Sequence, residues 1–257
     1  MAGSWRATPI GVLVVASIVA GCSSVEGTPP PQSATATATA SDAPSTGSEA
    51  TPGASPVATT RAHVLSTTAD DGVGITVTIP ASGWVGDPGG WLLQWGPRGG
   101  DPPDGAGIIT YTVDEEFYVF GDACAWSSTM PATPATTVDE IAAAMGQQSS
   151  RAASEAEDIT VGGYTGKRIT LHVPDDADFS NCDDEQYATF GVTGEIPARY
   201  HQGPGQIDEM WIIDVDGKIA LMDGAYFAGT PQRAVDELHA ILNSATFDVA
   251  PQASPTP

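Results

Sequence analysis

Three cysteines are the residues of this 257-residue chain whose chemistry is most informative: Cys22, Cys124 and Cys182. A thiol can carry a lipid, form a disulfide, bind a metal or act as a nucleophile, and its sequence context distinguishes these roles. Neither Cys124 nor Cys182 has a histidine or a second cysteine at ligand spacing, which disfavours a zinc site or a catalytic thiol. In an exported chain, an odd number of cysteines leaves one without a partner.

The first 22 residues combine a short basic start, an apolar run and a cysteine. Arg6 precedes the run Ile10 to Ala20, which is shorter than the roughly 20 residues of a membrane-spanning helix and fits the hydrophobic region of a signal peptide. The run ends in Val-Ala-Gly-Cys at residues 19–22, which resembles the lipobox of bacterial lipoproteins. The resemblance implies that Cys22 receives a diacylglycerol and becomes the first residue of the mature protein. The alternative is an ordinary secreted protein that is cut near Ala20.

With Cys22 assigned to a lipid, Cys124 and Cys182 remain as an even pair. Thiols oxidise outside the cytoplasmic membrane, so we predict a disulfide between them. In the chain-entropy model, a bridge that closes so long a loop stabilises the fold by about 4 kcal/mol.

The acidic loop from Asp175 to Glu185 is the one place where the sequence invites a metal. Aligned on a calcium-binding EF-hand loop, Asp176 and Asp178 match the first two ligand positions. Asn181 stands where that loop needs glycine, and Tyr187 stands where it needs a bidentate glutamate. We therefore interpret the segment as a solvated acidic loop, with an irregular calcium site as the alternative.

No catalytic motif is present elsewhere. The chain has no zinc-protease motif, nucleophile elbow, phosphate-binding loop or dinucleotide fingerprint. The four histidines are scattered, and we interpret His172 and His239 as structural; the full set is His63, His172, His201 and His239. The sequence therefore indicates no catalytic residue, no metal site and no cofactor. A glycosidase-like carboxylate pair stays open, because 32 acidic residues offer many pairs.

The charge balance excludes one class of partner. The formal net charge is −23, with 9 basic residues against 32 acidic ones. Nucleic-acid binding requires clustered Lys and Arg side chains against phosphates, so we exclude it. The acidity also disfavours direct adhesion to anionic lipids.

Composition divides the chain into four parts. Residues 1–21 are the predicted signal peptide, and residues 22–60 are the lipidated cysteine with a tether of Ser, Thr, Ala and Pro that we expect to be disordered. Residues 61–250 form the predicted extracytoplasmic domain, and residues 251–257 form a disordered tail.

Seven segments of the domain have strand character. The clearest is Val73–Ile79, and the Asp216-Gly217 pair between two apolar runs predicts a hairpin with a type I′ turn. The strands are Val73–Ile79, Gly107–Val113, Phe117–Phe120, Asp158–Val161, Lys167–Val173, Ile207–Val215 and Lys218–Tyr226. Both faces of the last hairpin are apolar, so we expect it at the centre of a sheet that is covered on each side.

Two segments are predicted to be amphipathic helices. Thr137 and Glu140 form a capping box, and Val138, Ile141, Ala142 and Met145 follow as one apolar stripe. Thr230-Pro231 predicts the start of the second helix, with Thr230 as its cap and with Val235, Leu238 and Leu242 as its stripe. A short strand, Thr246–Val249, follows. Between the first two strands, Trp84, Trp91 and Trp95 either line a binding groove or pack on a strand edge.

The segments FYVFGDACAW, TVDEIAAAM and MWIIDVDGKIAL resemble a set of actinobacterial lipoproteins and secreted domains that have no assigned activity, over Gly72 to Val249. The last hairpin, the helix and the ending NSATF resemble the PsbP-like fold, an antiparallel sheet between helices. We predict an α+β domain with an antiparallel sheet, two helices and one disulfide. We expect a lipoprotein on the extracytoplasmic face of the cell membrane that binds a small ligand or an envelope protein. The alternative is an envelope hydrolase, and we favour a non-enzymatic role.

Overall fold

The computed structural model describes residues 59–68, 72–86, 91–94, 107–113 and 115–250. The predicted lipidation site Cys22, the signal segment, residues 23–58 of the tether, Trp95 and residues 251–257 lie outside the described residues. Within the described residues, neither helix is both long enough and apolar enough to cross a membrane.

The described residues form a single α+β domain, as predicted, with mainly antiparallel strands and two helices. The strands are β1 (Thr60–Ser66), β2 (Val73–Pro80), β3 (Trp84–Val85), β4 (Leu92–Gln94), β5 (Ile108–Val113), β6 (Tyr118–Val119), β7 (Ala152–Ala153), β8 (Glu157–Val161), β9 (Tyr164–His172), β10 (Ala188–Val192), β11 (Glu195–Tyr200), β12 (Gln206–Val215), β13 (Lys218–Phe227) and β14 (Thr246–Val249). The helices are α1 (Val138–Gly146) and α2 (Gln232–Asn243). All eight predicted strands, including Thr246–Val249, and both predicted helices are present, with ends that shift by a few residues.

The strands form one large sheet and two small ones. The large sheet has eight strands in the order β3-β4-β5-β13-β12-β9-β7, with β8 also paired to β9. The small sheets have the orders β1-β2-β14 and β11-β10-β6. The β12–β13 hairpin is therefore central, as its two apolar faces predicted.

The turn of this hairpin follows the sequence signal closely. Asp216 and Gly217 have φ values of 55° and 86°, the left-handed backbone that a type I′ turn needs at both positions. The resulting register pairs Trp211 with Met222 and Ile212 with Leu221. Trp211 and Met222 enter one apolar core, and Ile212 and Leu221 enter another on the opposite side of the sheet.

The large sheet is called the central sheet below. Each of its faces is covered by one helix and one small sheet. On the first face, named the α2 face, helix α2 and strand β2 share a core with β12 and β13. On the second face, named the α1 face, helix α1 and strands β6 and β10 pack against β9, β12 and β13. The two faces are therefore separate environments that share the same central strands.

Helix α1 begins with the predicted capping box. The Thr137 hydroxyl accepts from the Glu140 amide (3.2 Å), and the Glu140 carboxylate accepts from the Thr137 amide (3.2 Å). Ile141, Ala142 and Met145 are buried, which confirms the predicted stripe.

Helix α2 confirms its stripe but not its cap. Val235, Leu238, Ile241 and Leu242 are buried. Pro231 occupies the cap position, where its carbonyl accepts from the Ala234 amide (2.8 Å) and no side chain caps the helix. The predicted cap, Thr230, instead accepts from the Phe227 amide (3.3 Å), because its hydroxyl faces back toward the end of β13.

Glycine brings α2 close to the central sheet. A Cβ atom at Gly224 of β13 would lie 2.7 Å from a methyl carbon of Leu238 and 2.7 Å from one of Leu242. Such a distance is shorter than the contact distance of two non-bonded carbon atoms. The helix can therefore pack here only because residue 224 has no side chain.

Candidate functional site

The predicted disulfide between Cys124 and Cys182 is present, with an S–S distance of 2.06 Å and a Cα–Cα distance of 4.5 Å. It joins the segment after β6 to the acidic loop. Asp183 strengthens this junction, because its carboxylate accepts from the Ser127 amide (2.8 Å) and from the Ser127 hydroxyl (2.5 Å). Asp183 therefore acts as a structural acceptor in this loop.

The calcium alternative for the acidic loop finds no support among the described residues. No group of three His, Cys, Asp or Glu side chains there could hold a metal ion. Asp178, one of the two residues that match the EF-hand loop, accepts from the Ser180 amide (3.1 Å) and from Asn181 Nδ2 (2.9 Å). These hydrogen bonds cap a short 3₁₀ turn at Phe179–Asn181.

The tryptophan groove that the sequence offered as an alternative does not include Trp84. This ring is 2% exposed, and its indole N–H donates to Glu237 Oε1 of α2 (2.9 Å). Trp91 is 51% exposed. Trp84 is therefore a core residue of strand β3, in the large sheet.

A buried ionic network, which the sequence interpretation missed, lies on the α1 face; we name it by its members Arg151, Arg199, His201, Asp208 and Asp223. Arg199 of β11 lies between two carboxylates of the central hairpin. Its guanidinium donates to Asp208 Oδ1 (2.7 Å) and to Asp223 Oδ2. Asp208 and Asp223 are 0% and 1% exposed. The network thus links the β11-β10-β6 sheet to the central sheet.

His201 is held in one orientation within this network. Its Nδ1 lies 2.9 Å from Asp208 Oδ2, and its Nε2 lies 3.0 Å from Arg151 NH1 and 2.8 Å from the Thr189 hydroxyl. Arg151 can only donate, so Nε2 accepts and the proton lies on Nδ1, beside the Asp208 carboxylate. Burial lowers the pKa of His201 to about 4, which agrees with this neutral ring.

The two carboxyl groups of the network differ in their ionisation. Burial and the neighbouring Asp208 carboxylate raise the pKa of Asp223 to about 7, although Arg199 opposes the shift. Burial also opposes ionisation of Asp208, but His201 and Arg199 hold its pKa below the usual range. Two arginines balance two carboxyl groups, and the carboxyl groups have no access to solvent. The arrangement is suited to joining two sheets and does not admit a substrate.

A surface cleft on the α1 face has a different character. It has a volume of about 510 Å³ and lies between the start of α1, the β8–β9 hairpin and the turn of the central hairpin. We name it the Lys167 cleft; its lining is Thr136, Thr137, Val138, Asp139, Asp158, Thr165, Gly166, Lys167, Asp214, Gly217 and Ile219.

Lys167 is fixed in this cleft by two carboxylates. Its Nζ lies 2.8 Å from Asp158 Oδ1 and 3.3 Å from Asp139 Oδ1. The hydrogen bond from Lys167 lowers the pKa of Asp158, and the hydrogen bonds to Asp158 and Asp139 raise the pKa of Lys167. Both groups are therefore charged at neutral pH, and the cleft can hold a polar ligand by charge and hydrogen bonds.

A third polar cluster lies on the α2 face, and we name it the Glu209 cluster. Its members are Arg168, Glu209, Trp211, Tyr226 and His239, the last of which is one of the four scattered histidines. Glu209 Oε1 lies 2.7 Å from His239 Nε2 of α2 and accepts from the Tyr226 hydroxyl (3.3 Å). Burial and Glu209 raise the pKa of Tyr226 to about 12, so the phenol keeps its proton. His172 lies elsewhere, 3.6 Å from Asp175.

The residues that sequence reasoning missed left one usable signal. Asp208, Glu209 and Asp223 lie inside the two strands that were predicted to be buried on both faces. A charge in such a strand must find a partner inside the protein, because burial of an unpaired charge is too costly. The partners themselves come from other parts of the chain, and nothing local identifies them.

No protein-family model matches this chain, and no curated protein sequence matches it. Among solved structures, the chain is similar to the solution structure of cyanobacterial PsbP (CyanoP) from Synechocystis sp. PCC 6803, with 15% identity, a TM-score of 0.34, and coverage of 79% of this chain and 100% of that chain. It is also similar to the crystal structure of LpqN, which is involved in cell envelope biogenesis of Mycobacterium tuberculosis, with 8% identity, a TM-score of 0.39, and coverage of 73% and 91%. The first of these structures is a PsbP protein. The sequence of the last hairpin and helix of this chain resembles the PsbP-like fold. At these identities and TM-scores neither similarity carries a functional argument.

Proposed function

We propose that this chain is a lipid-anchored extracytoplasmic protein whose domain binds a polar ligand in the Lys167 cleft. The observation that carries the binding role is the cleft itself, a space of about 510 Å³ with a lysine fixed on its wall. The membrane is reached through the lipid on Cys22, and the cleft faces the extracytoplasmic side.

The cysteines support the proposed location outside the cytoplasmic membrane. The disulfide accounts for Cys124 and Cys182, and it belongs to an oxidising compartment. Cys22 is then the one cysteine left, at the position of the lipobox. Two acyl chains on one residue anchor a protein stably, where a single chain does not.

The ionisation of the cleft supports binding over hydrolysis. A glycosidase-type reaction needs a carboxylic acid whose raised pKa lets it donate a proton near neutral pH. Asp158 has a lowered pKa and stays ionised. Asp223 has a raised pKa but lies sealed in the buried ionic network.

The charge of the cleft indicates the kind of ligand. The cleft lining includes three carboxylates, those of Asp139, Asp158 and Asp214, and one ammonium group, that of Lys167. The cleft therefore has excess negative charge, and the whole chain adds to this field. We expect a polar ligand that carries a positive charge.

Two experiments test the two halves of the proposal. For the anchor, Cys22→Ala should move the protein from the membrane fraction of its native host to the soluble fraction and abolish labelling by an alkyne-tagged palmitate. Cys182→Ser should keep the label, because it changes only the disulfide. Firm membrane attachment of the Cys22→Ala protein would contradict lipid anchoring.

For the cleft, native mass spectrometry of the protein from its host should reveal a small-molecule adduct that is lost on denaturation. Thr165→Trp, which fills the cleft, should remove the adduct. Gln202→Trp, at an exposed site that does not line the cleft, should retain it. A wild-type protein that carries no adduct, or an adduct that survives Thr165→Trp, would contradict the proposed site.

A further inference from the structure

The Glu209 carboxylate, on the α2 face, is only half satisfied. Its Oε1 atom has two partners, His239 Nε2 and the Tyr226 hydroxyl. Its Oε2 atom is buried and has no hydrogen-bond partner, and the nearest cation, Arg168 NH1, lies 4.0 Å away. The residue is 5% exposed. A buried carboxylate oxygen without a donor costs free energy, so a donor is expected at this position.

The indole of Trp211 presents the matching donor. Its Nε1 atom is buried without an acceptor, and the residue is 2% exposed. Trp211 and Glu209 are two positions apart on β12, so both side chains lie on the α2 face. Trp84 and Trp126, by contrast, donate their indole protons to Glu237 Oε1 and to the Asp183 carbonyl, each at 2.9 Å.

Arg168 lies next to both of these side chains. Its guanidinium carbon lies 5.6 Å from the centre of the Trp211 ring, and its NH1 atom is the cation near Glu209 Oε2. The Arg168 and His239 side chains are each 31% exposed, so they form the outer wall of the cluster. Arg168 is also tied to Glu157 of the neighbouring strand (2.7 Å), whose side chain is 63% exposed.

We propose that the Glu209 cluster is a second ligand site, which binds a hydroxyl group of a sugar or polyol between Glu209 Oε2 and Trp211 Nε1. A hydroxyl is the group that satisfies both atoms, because it donates to the carboxylate and accepts from the indole. Arg168 is the movable cover, since its long side chain can leave the ring at little cost to an exposed ion pair.

The charges around the site select a neutral ligand. An anionic carboxylate can accept from the Trp211 indole but has no proton to donate to Glu209. An ammonium ion can donate to Glu209 but cannot accept from the indole, and Arg168 repels it. A neutral polyol avoids both penalties and uses both unsatisfied atoms. This site lies on the face of the central sheet opposite the Lys167 cleft, so it does not depend on the function proposed for that cleft.

Indole N–H signals in a ¹⁵N–¹H spectrum of the disulfide-bonded domain test the proposal directly. D-glucose and myo-inositol are the probes, with ethylammonium chloride and sodium acetate as charged comparisons. We expect a saturable shift of the Trp211 signal with a neutral probe, while the Trp84 and Trp126 signals stay in place because their protons are already bonded. The Thr165 and Lys167 amides report on the Lys167 cleft separately.

Two variants separate the site from a general effect. Glu209→Gln and Trp211→Phe should each weaken binding of the neutral probe by about tenfold, because each removes one hydrogen bond to the hydroxyl. Asp214→Asn, in the other cleft, should leave the titration of the Trp211 signal unchanged. Thermal unfolding of each variant establishes that it is folded before titration.

Three results would overturn the proposal. The first is a Trp211 indole signal whose position does not change with glucose or inositol and which shows contact with bound water only. The second is a preference for the ammonium or acetate probe. The third is unchanged affinity in a folded Glu209→Gln protein.

Discussion

The two faces of the central sheet compensate their buried carboxylates with different cations. On the α1 face, Arg199 bridges Asp208 and Asp223, and His201 lies beside the other oxygen of Asp208. On the α2 face, Glu209 has donors on one oxygen and none on the other. All three carboxyl groups sit on the same two neighbouring strands. Asp208 Oδ2 and Asp223 Oδ1 also have no hydrogen-bond partner, so the two faces differ in charge compensation rather than in complete hydrogen bonding. A buried arginine bridges the two aspartates, whereas the cation nearest to Glu209 Oε2 is Arg168 at 4.0 Å, whose side chain is 31% exposed.

The largest expected effect comes from Arg199→Met, which leaves two buried carboxyl groups without their shared cation. We expect a loss of about 3–5 kcal/mol in the free energy of unfolding, measured by urea denaturation. Arg168→Met on the α2 face should cost less than about 1 kcal/mol, because its ion pair with Glu157 is largely exposed. Equal losses in the two variants would remove the contrast between the faces.

The second prediction concerns pH and has opposite signs for two members of the network. His201 has a pKa of about 4 in the folded state and about 6.5 when unfolded, so the unfolded state binds more protons between these values and stability falls as pH drops. Asp223, with a pKa of about 7 in the folded state, binds more protons when folded, so its contribution falls as pH rises from about 4 to about 7.

Single substitutions should separate these two slopes. His201→Gln should leave a protein whose stability decreases from pH 4 to pH 7, and Asp223→Asn one whose stability increases from pH 4 to pH 6.5. The change amounts to about 3 kcal/mol for the His201 window and about 4 kcal/mol for the Asp223 window, at about 1.4 kcal/mol per pKa unit. Urea denaturation at several pH values measures both, and identical slopes in the two variants would contradict the assigned protonation states.

A third, smaller effect tests how tightly each face is packed. Gly224→Ala should destabilise the fold by about 1–3 kcal/mol, because its Cβ would overlap Leu238 and Leu242 of α2. Gly203→Ala is the matched control, since its Cβ would meet only Phe227 at an ordinary 3.8 Å. Thermal unfolding of the two proteins gives the difference. A tolerated alanine at residue 224 would mean that α2 can move away from the sheet.

The smallest effect compares the two helix starts. Thr137→Ala removes the side-chain cap of α1 and should cost about 1 kcal/mol. Thr230→Ala should cost less, because Thr230 bonds the end of β13 and does not cap α2. Urea denaturation of both variants decides this. A larger loss of unfolding free energy for Thr230→Ala than for Thr137→Ala would indicate that Thr230 caps α2, as the sequence predicted.

Much of the fold was predictable because its signals are local. The capping box of α1, the Asp216-Gly217 turn and the apolar stripe of α2 each lie within a few residues of one another. Strand β1 and the β10–β11 hairpin were missed. All five residues of β10 are buried, so the strand has no alternation of polar and apolar positions, and Pro197 argues against a strand in β11. The pairing partner of β10, strand β6, lies far away in the sequence.

By itself, the sequence determined the Cys124–Cys182 disulfide, the acidic charge, the α+β class and the central hairpin, because each depends on residue types and short spacings. Only the tertiary structure decided where the buried charges find partners. Arg199 joins Asp208 and Asp223 between two sheets, Arg151 reaches His201, and His239 of a distant helix reaches Glu209. Such contacts depend on how sheets and helices stack. The sequence around each residue does not indicate which elements it will pack against. The same stacking leaves Glu209 Oε2 and Trp211 Nε1 without partners, and so sets the site that the polyol titration tests.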